Sequence, residues 1–254
     1  MLDPVEGAEV AVMFGVADEQ VRRDHLISHL LAALARHLPD AVVFFGGTAL
    51  ARTHLPHGRL SEDLDLIAVP SRSAVAATLE ATLLDAVRRG FGQLVWQPPL
   101  TAVRDTVPAV LRTRDGLTVR VQLLDPAGYP AWPTERRQLV QRYRDVPAAA
   151  LTVPTLPAFV ASKVVAWQDR RAPRDLYDLW ALARGGAVTD AAAELFARLG
   201  PTGAPPRPWM FTQPLAEADW VMHLAAQTRL TVGAAEALTV VRAAWAAASG
   251  TGSD

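Results

Sequence analysis

Apolar positions recur along this chain with two different periods, and the change from one to the other outlines its architecture. From Val16 to Leu38 the side chains Val21, Leu26, Ile27, Leu30, Leu31, Leu34 and Leu38 follow helical spacing, with Asp18 at the start and Pro39 past the end. That predicts a packing helix leading into a first strand. Two short apolar runs, Ala41–Phe45 and Ile67–Val69, then bracket a polar stretch. Ser73 to Gly90 reads as an Ala- and Leu-rich helix. Gln93 to Trp96, Val107 to Arg112 and Leu117 to Leu124 carry the alternation of strands, with Arg114-Asp115-Gly116 as a hairpin turn. The order of elements is α/β (α+β) in character, with a mixed sheet and flanking helices.

Pro147, Pro154 and Pro157 interrupt the chain and set a boundary, so residues 1–150 and 151–254 are expected to be separate domains. The second half reads as helical throughout: Pro157 to Asp169, a helix through Arg174–Trp180, and a short one ending near Leu199. A proline-rich loop, Gly200–Pro208, leads to final helices near Leu215–Thr228 and Val232–Ala248, and Ser249–Asp254 reads as a tail.

The bracketed stretch, Gly46 to Leu66, holds the concentrated chemistry. Gly46 and Gly47 lack a Cβ and allow close approach of a ligand, while Thr48 can cap a helix whose free N–H groups face a phosphate. Asp63 and Asp65 lie two apart on an expected strand, which puts both carboxylates on one face. Two oxygen ligands side by side suit Mg²⁺. Taken separately, Gly-Gly-Thr is a common turn and Ser61-Glu62-Asp63 a common cap. Taken together, between two apolar runs, they describe a phosphate-and-metal site.

Phe44-x-Gly46-Gly47-Thr48-Ala49-Leu50 followed by Arg59-x-Ser61-Glu62-Asp63-x-Asp65-Leu66 resembles the nucleotidyltransferase fold of the DNA polymerase β type. More narrowly, it resembles the AbiEii/AbiGii toxin family, which includes the MenT toxins. A second block, Lys163, Asp169-Arg170 and Pro173-Arg174-Asp175-Leu176-Tyr177-Asp178-Leu179, matches the same family, and the resemblance runs from about Val21 to Leu182. It implies a polymerase β-type N-terminal domain followed by an all-helical domain that contributes Lys163 and Asp178. The implied reaction is nucleotidyl transfer, with Asp63 and Asp65 holding Mg²⁺ or Mn²⁺ against a nucleoside triphosphate. Gly46, Gly47, Thr48, Arg59 and Ser61 would position the nucleotide. Lys163 would neutralise its phosphates, and Asp178 would lie near the nucleophile or orient Lys163. MenT-type toxins add nucleotides to the 3′ end of tRNA and halt translation, so a tRNA acceptor and an antitoxin encoded nearby are implied as well.

One departure concerns a third carboxylate, usual in this fold on the strand beside Asp-x-Asp. Thr118–Asp125 offers Gln122 or Arg120 there, and Asp125 reads as a cap before Pro126. A neutral amide binds Mg²⁺ more weakly than a carboxylate, which keeps a non-catalytic nucleotide-binding module open. A transferase acting on a small hydroxyl compound is the other rival.

Composition narrows the partners. With no cysteine there is neither a disulfide framework nor a thiolate metal site, and a formal net charge of −1 gives no global attraction to nucleic acid. Neither a basic leader nor a bilayer-length apolar run is visible, so no membrane role and a cytoplasmic location are expected. RNA binding then requires a local patch, for which Arg136, Arg137, Arg170 and Arg174 are candidates. Arg136–Arg144, with Tyr143 among four arginines, reads either as a solvated helix face or as a track for an RNA backbone. Of 25 basic side chains all but Lys163 are arginine, which singles that lysine out as a site needing a compact ammonium. His25 and His29 are one helical turn apart and could in principle hold a metal, but no third ligand lies nearby in the sequence, so a surface or core-edge role is expected.

Overall fold

A computed structural model of the chain describes residues 2–250, with side chains to Ala248. The expected tail therefore lies largely outside the described residues. The chain divides into two compact units. One comprises the residues through Tyr129 together with Glu135–Val153, and the other Pro130–Thr134 together with the residues from Pro154 onward.

The first unit is built on a sheet. Helix α1 (Pro4–Phe14), which no sequence pattern predicted, is capped by Asp3 and packs on α2 (Asp18–His37). Strand β1 (Val42–Phe45), helix α3 (Gly46–Thr53), strand β2 (Asp63–Ala68) and helix α4 (Arg72–Phe91) follow. Ser71 caps α4 by accepting from the Ala74 N–H, and Gly92 ends it with φ +73°. Strands β3 (Leu94–Trp96), β4 (Ala109–Thr113), β5 (Thr118–Leu124), β6 (Thr134–Gln138) and β7 (Ala150–Pro154) complete a seven-stranded mixed sheet in the order β3-β4-β5-β2-β1-β7-β6. Leu26, Ile27, Leu30, Leu31 and Leu34 of α2 are fully buried, each contributing about 1.5–3 kcal/mol of apolar burial.

The stretch from Arg136 to Arg144 overturns its sequence reading. It is an edge strand followed by a loop, not a helix. Thr134–Gln138 has no apolar alternation to announce a strand, because an edge position lets both faces stay polar and the pairing partner is supplied by the tertiary fold. Tyr143 is buried, and its hydroxyl donates to the Asp24 carboxylate at 3.0 Å. Arg142 is likewise inside, donating to the carbonyls of Ala51 and Pro56 and lying 5.2 Å over the Phe14 ring. Neither side chain is available to an RNA backbone.

Those residues belong to a buried charged network. Asp24 on α2 accepts from Arg52 Nη2 on α3 at 2.8 Å, and Arg52 also donates to the Ser28 hydroxyl and the Val140 carbonyl. Burial pulls the Arg52 guanidinium down to about 10, with Asp24 opposing the fall. One network thus joins α2, α3 and the loop after β6.

The second unit is helical: α5 (Leu156–Arg170), α6 (Pro173–Arg184), α7 (Asp190–Leu199), a 3-10 turn at Pro208–Phe211, α8 (Glu217–Leu224) and α9 (Ala234–Gly250). Prolines in the first turns of α5 and α6 cost no hydrogen bond, since those N–H groups have no helical partner. Trp167, Trp220 and Trp245 anchor this core, fully buried.

Replacing Arg52 with alanine strands the Asp24 carboxylate without its main cation. The expected loss is roughly 3–5 kcal/mol, read as a lower urea midpoint at unchanged slope.

Candidate active site

Helix α3 begins where β1 ends, and its first residues lie against β2 more closely than any side chain would permit. Gly46 sits at φ +77°, and a Cβ there would overlap the Asp65 carboxylate. At Gly47 a Cβ would stand 2.7 Å from Arg59 Nη2 and 3.2 Å from Ser61 Oγ. Thr48 does not cap the helix as expected. Position N-cap is Phe45, which makes no side-chain cap, and the Thr48 hydroxyl instead donates to the Asp63 carbonyl, tying α3 to β2. The three glycine- and threonine-led N–H groups of the first turn have no helical acceptors, as at any helix start.

On β2 burial alternates, with Leu64 and Leu66 fully inside and Asp63 and Asp65 on the more open face. Strand β5 runs parallel beside it, pairing Asp63 with Arg120 and Asp65 with Gln122. Gln122 therefore occupies the register position where the wider fold carries a third carboxylate, and its amide donates to the Asp105 carbonyl at 3.3 Å. Arg120 forks onto Asp63, Nε to Oδ1 at 2.8 Å and Nη2 to Oδ2 at 2.9 Å, and this hydrogen bonding raises the Arg120 pKa against the pull of burial. From the sequence Arg120 is one of two residues standing where an acid is expected; parallel pairing shows it as the counter-charge of Asp63. Asp63 and Asp65 form a hard-oxygen donor pair that fits Mg²⁺, which takes one or two carboxylates and fills its remaining positions with water and phosphate oxygens. Arg59 and Ser61 are buried beneath Gly47. Asp125 accepts from the backbone N–H groups of Ala127 and Arg72, the capping role its position before Pro126 suggests.

The second unit holds its own charged cluster. Lys163 on α5 is 6% exposed and places Nζ 2.6 Å from Asp178 Oδ2 and 3.2 Å from Asp175 Oδ1, both on α6. Arg170 closes the other side of Asp175 with Nε at 2.6 Å and Nη2 at 2.9 Å. Desolvation pushes the Asp175 carboxyl up, but Lys163 and Arg170 together outweigh it and hold it at about 2. Asp175 is thus more than the helix-start partner its position suggested, since it shares the lysine with Asp178. Among the RNA-binding candidates, Arg136 lies 3.6 Å from Asp40 and Arg137 3.3 Å from Glu135, with side chains 48% and 41% exposed. Arg170 is committed to Asp175, and Arg174 is partly buried in the first turn of α6.

A glycine-led helix start pressed on a strand that carries two same-face carboxylates, within a mixed sheet of this order, defines a nucleotidyltransferase fold. The chain belongs to the AbiEii family: the model of the nucleotidyl transferase AbiEii toxin, type IV toxin–antitoxin system, matches residues 29–248. MenT4, a nucleotidyltransferase toxin from Mycobacterium tuberculosis H37Rv, superposes with a TM-score of 0.76 at 23% identity, over 100% of this chain and 91% of that one. JHP933 from Helicobacter pylori superposes with a TM-score of 0.57 at 16% identity, over 93% and 94% of the two chains. No curated protein sequence gives a significant match. Among the described residues, no helix is long and apolar enough to cross a membrane.

Asp175 has a pH signature. Its folded pKa of about 2 lies below the unfolded value of about 3.9, so its contribution is fully present above pH 4 and is lost as pH falls through 2. The expected size is on the order of 2 kcal/mol. Urea midpoints measured from pH 5 to pH 2.5 should fall less steeply for Asp175→Asn than for the parent chain.

Proposed function

We propose that this chain transfers a nucleotide from a nucleoside triphosphate to the 3′ end of tRNA, with Mg²⁺, and so blocks translation as the toxin of a pair whose antitoxin is encoded nearby. The observation that carries the transferase reading is the pairing of Asp63 and Asp65 on one face of β2 against the Gly46-Gly47 start of α3. Membership of the AbiEii family supports the toxin role, and the resemblance to MenT-type toxins supports tRNA as acceptor.

In this mechanism the acceptor hydroxyl releases its proton to solvent as its oxygen forms a bond to the α-phosphorus, the bond to the pyrophosphate oxygen breaks, and pyrophosphate leaves. Bound Mg²⁺ supplies positive charge against the phosphate oxygens. Asp63 and Asp65 hold that charge in place. The N–H groups of the first turn of α3 favour a phosphate by direct donation and by the helix dipole. Arg59 and Ser61, buried beneath Gly47, keep that turn at its height over the strand and orient the nucleotide. Lys163 contributes a compact charge for the phosphates, and Asp178, 2.6 Å away, fixes where the ammonium points. Asp178 therefore acts on the lysine rather than on the acceptor. The helical segment from 151 onward serves as the domain that brings this pair to the reaction.

Gln122 opposite Asp65 is the specific observation in favour of a non-catalytic nucleotide-binding module, and turnover separates the two readings. Asp63→Asn and Asp65→Asn should each lower transfer at least about a hundredfold with the fold retained, the scale of losing one electrostatic stabiliser. Lys163→Arg should also lose activity, because a planar fork cannot take the point position between two carboxylates. Full activity in the aspartate variants would remove the metal assignment.

The acceptor is tested separately. Purified protein, Mg²⁺ and labelled nucleoside triphosphates should label total tRNA at its 3′ end, with transfer falling steeply as salt rises. Arg136→Glu together with Arg137→Glu should weaken it further, since both side chains are half exposed and neither is buried in a network. If tRNA stays unlabelled with all four nucleotides while a small hydroxyl compound is modified with little salt dependence, the small-molecule transferase takes its place.

A further inference from the structure

The core-edge reading of His25 and His29 rested on the lack of a third ligand, and the tertiary structure supplies one. Asp145, 120 residues beyond His25, sits on the loop after β6 with Oδ1 3.0 Å and Oδ2 3.1 Å from His25 Nε2. His29 Nε2 lies 3.2 Å from His25 Nε2 and 3.6 Å from Asp145 Oδ2. Three ligand atoms thus converge, each pair within 4.8 Å, from three residues on two separate pieces of chain.

We propose that His25, His29 and Asp145 form a binding site for a divalent transition-metal ion of the Zn²⁺ type. The spacing fits. A tetrahedral centre with metal–nitrogen bonds of 2.0–2.1 Å places its ligand atoms about 3.3 Å apart, and the observed separations run from 3.0 to 3.6 Å. Hydrogen bonding alone serves this trio poorly. Two Nε2 atoms face each other and the same carboxylate, so one proton on His25 can satisfy the Asp145 contact or the His29 contact but not both. A metal ion accepts lone pairs from all three at once.

The donor chemistry selects the metal class. Imidazole nitrogen suits zinc, copper, nickel and iron, whereas Mg²⁺ prefers an all-oxygen shell. The rings pack against aromatic neighbours: Phe91 has its centroid 5.4 Å from both imidazoles, tilted on His25 and edge-on to His29, and Tyr143 lies edge-on 4.9 Å from His25. A cavity lined by His25, Phe91, Arg22 and Asp115 opens beside the cluster on the His25 side. His29 and Asp145 remain 24% and 30% exposed, as an open coordination position requires.

The consequence is structural. The ion would clip α2 to the same loop that carries Arg142 and Tyr143 into the core, and would stabilise the folded chain by mass action. None of its ligands belongs to the proposed nucleotide site, so the assignment stands or falls independently of nucleotidyl transfer.

The test uses tag-free, full-length protein stripped with a chelator and dialysed. Calorimetric titration with ZnCl₂ should show one equivalent bound per chain, Co²⁺ should give the visible ligand-field bands of nitrogen coordination in a low-coordinate site, and Zn²⁺ should raise Tm. Affinity should fall at least tenfold in His29→Ala and in Asp145→Ala, with folding of each checked by circular dichroism. An Asp63→Asn, Asp65→Asn double variant should bind Zn²⁺ as tightly as the parent. The proposal is overturned if the parent chain takes up no Zn²⁺, if both ligand variants bind it within twofold of the parent, or if the double variant loses it.

Discussion

The architecture of the site depends on one steric constraint, the absence of side-chain volume where α3 leaves β1 and crosses over β2. A Cβ at Gly46 would occupy the space of the Asp65 carboxylate, and one at Gly47 would press on Arg59 and Ser61. Because both are absent, the helix start settles onto the strand, and the Thr48 hydroxyl can reach the Asp63 carbonyl. Antiparallel pairing of β1 with β2 sets Phe45 opposite Asp65, so the turn that releases the helix lies beside the second carboxylate by construction. Any displacement of α3 would move the N–H groups of its first turn and the Asp63 and Asp65 carboxylates, the two halves of the proposed nucleotide site, relative to each other.

Charges inside this protein are placed by the shape of the cation as much as by its sign. Where a whole carboxylate must be covered, the chain uses the planar fork of arginine: Arg120 spans both oxygens of Asp63, and Arg170 both oxygens of Asp175. Where two different carboxylates converge on one point, it uses its single lysine, between Asp175 and Asp178. A chain otherwise committed to arginine keeps Lys163 at a place where a fork would align with only one of the two acids. The buried Asp24–Arg52 pair is built differently: Arg52 reaches one Asp24 oxygen, Tyr143 donates to the other, and the Ser28 hydroxyl and the Val140 carbonyl accept the remaining Arg52 donors. Arginine content is therefore a poor guide to RNA binding here, since Arg52, Arg120, Arg142 and Arg170 are all engaged within the protein.

The sequence by itself determined the elements whose signal is local. Helical spacing predicted α2 and α4, an apolar run β2, and alternation β4 and β5, while Gly46-Gly47 and Asp63-x-Asp65 announced a helix start and a same-face carboxylate pair, because period, glycine and residue spacing are all readable within a few residues. Only the tertiary structure decided features that join distant segments. Strand β6 has no pattern of its own and exists because β7 pairs with it at the sheet edge. Arg120 became the partner of Asp63 through parallel register between β2 and β5, Tyr143 became a core residue by meeting Asp24, and Asp145 came to face two histidines on α2. The three side-chain pairings each span more than fifty residues, and hydrophobic periodicity carries no information about which polar side chains will meet across such a distance once the apolar faces have closed.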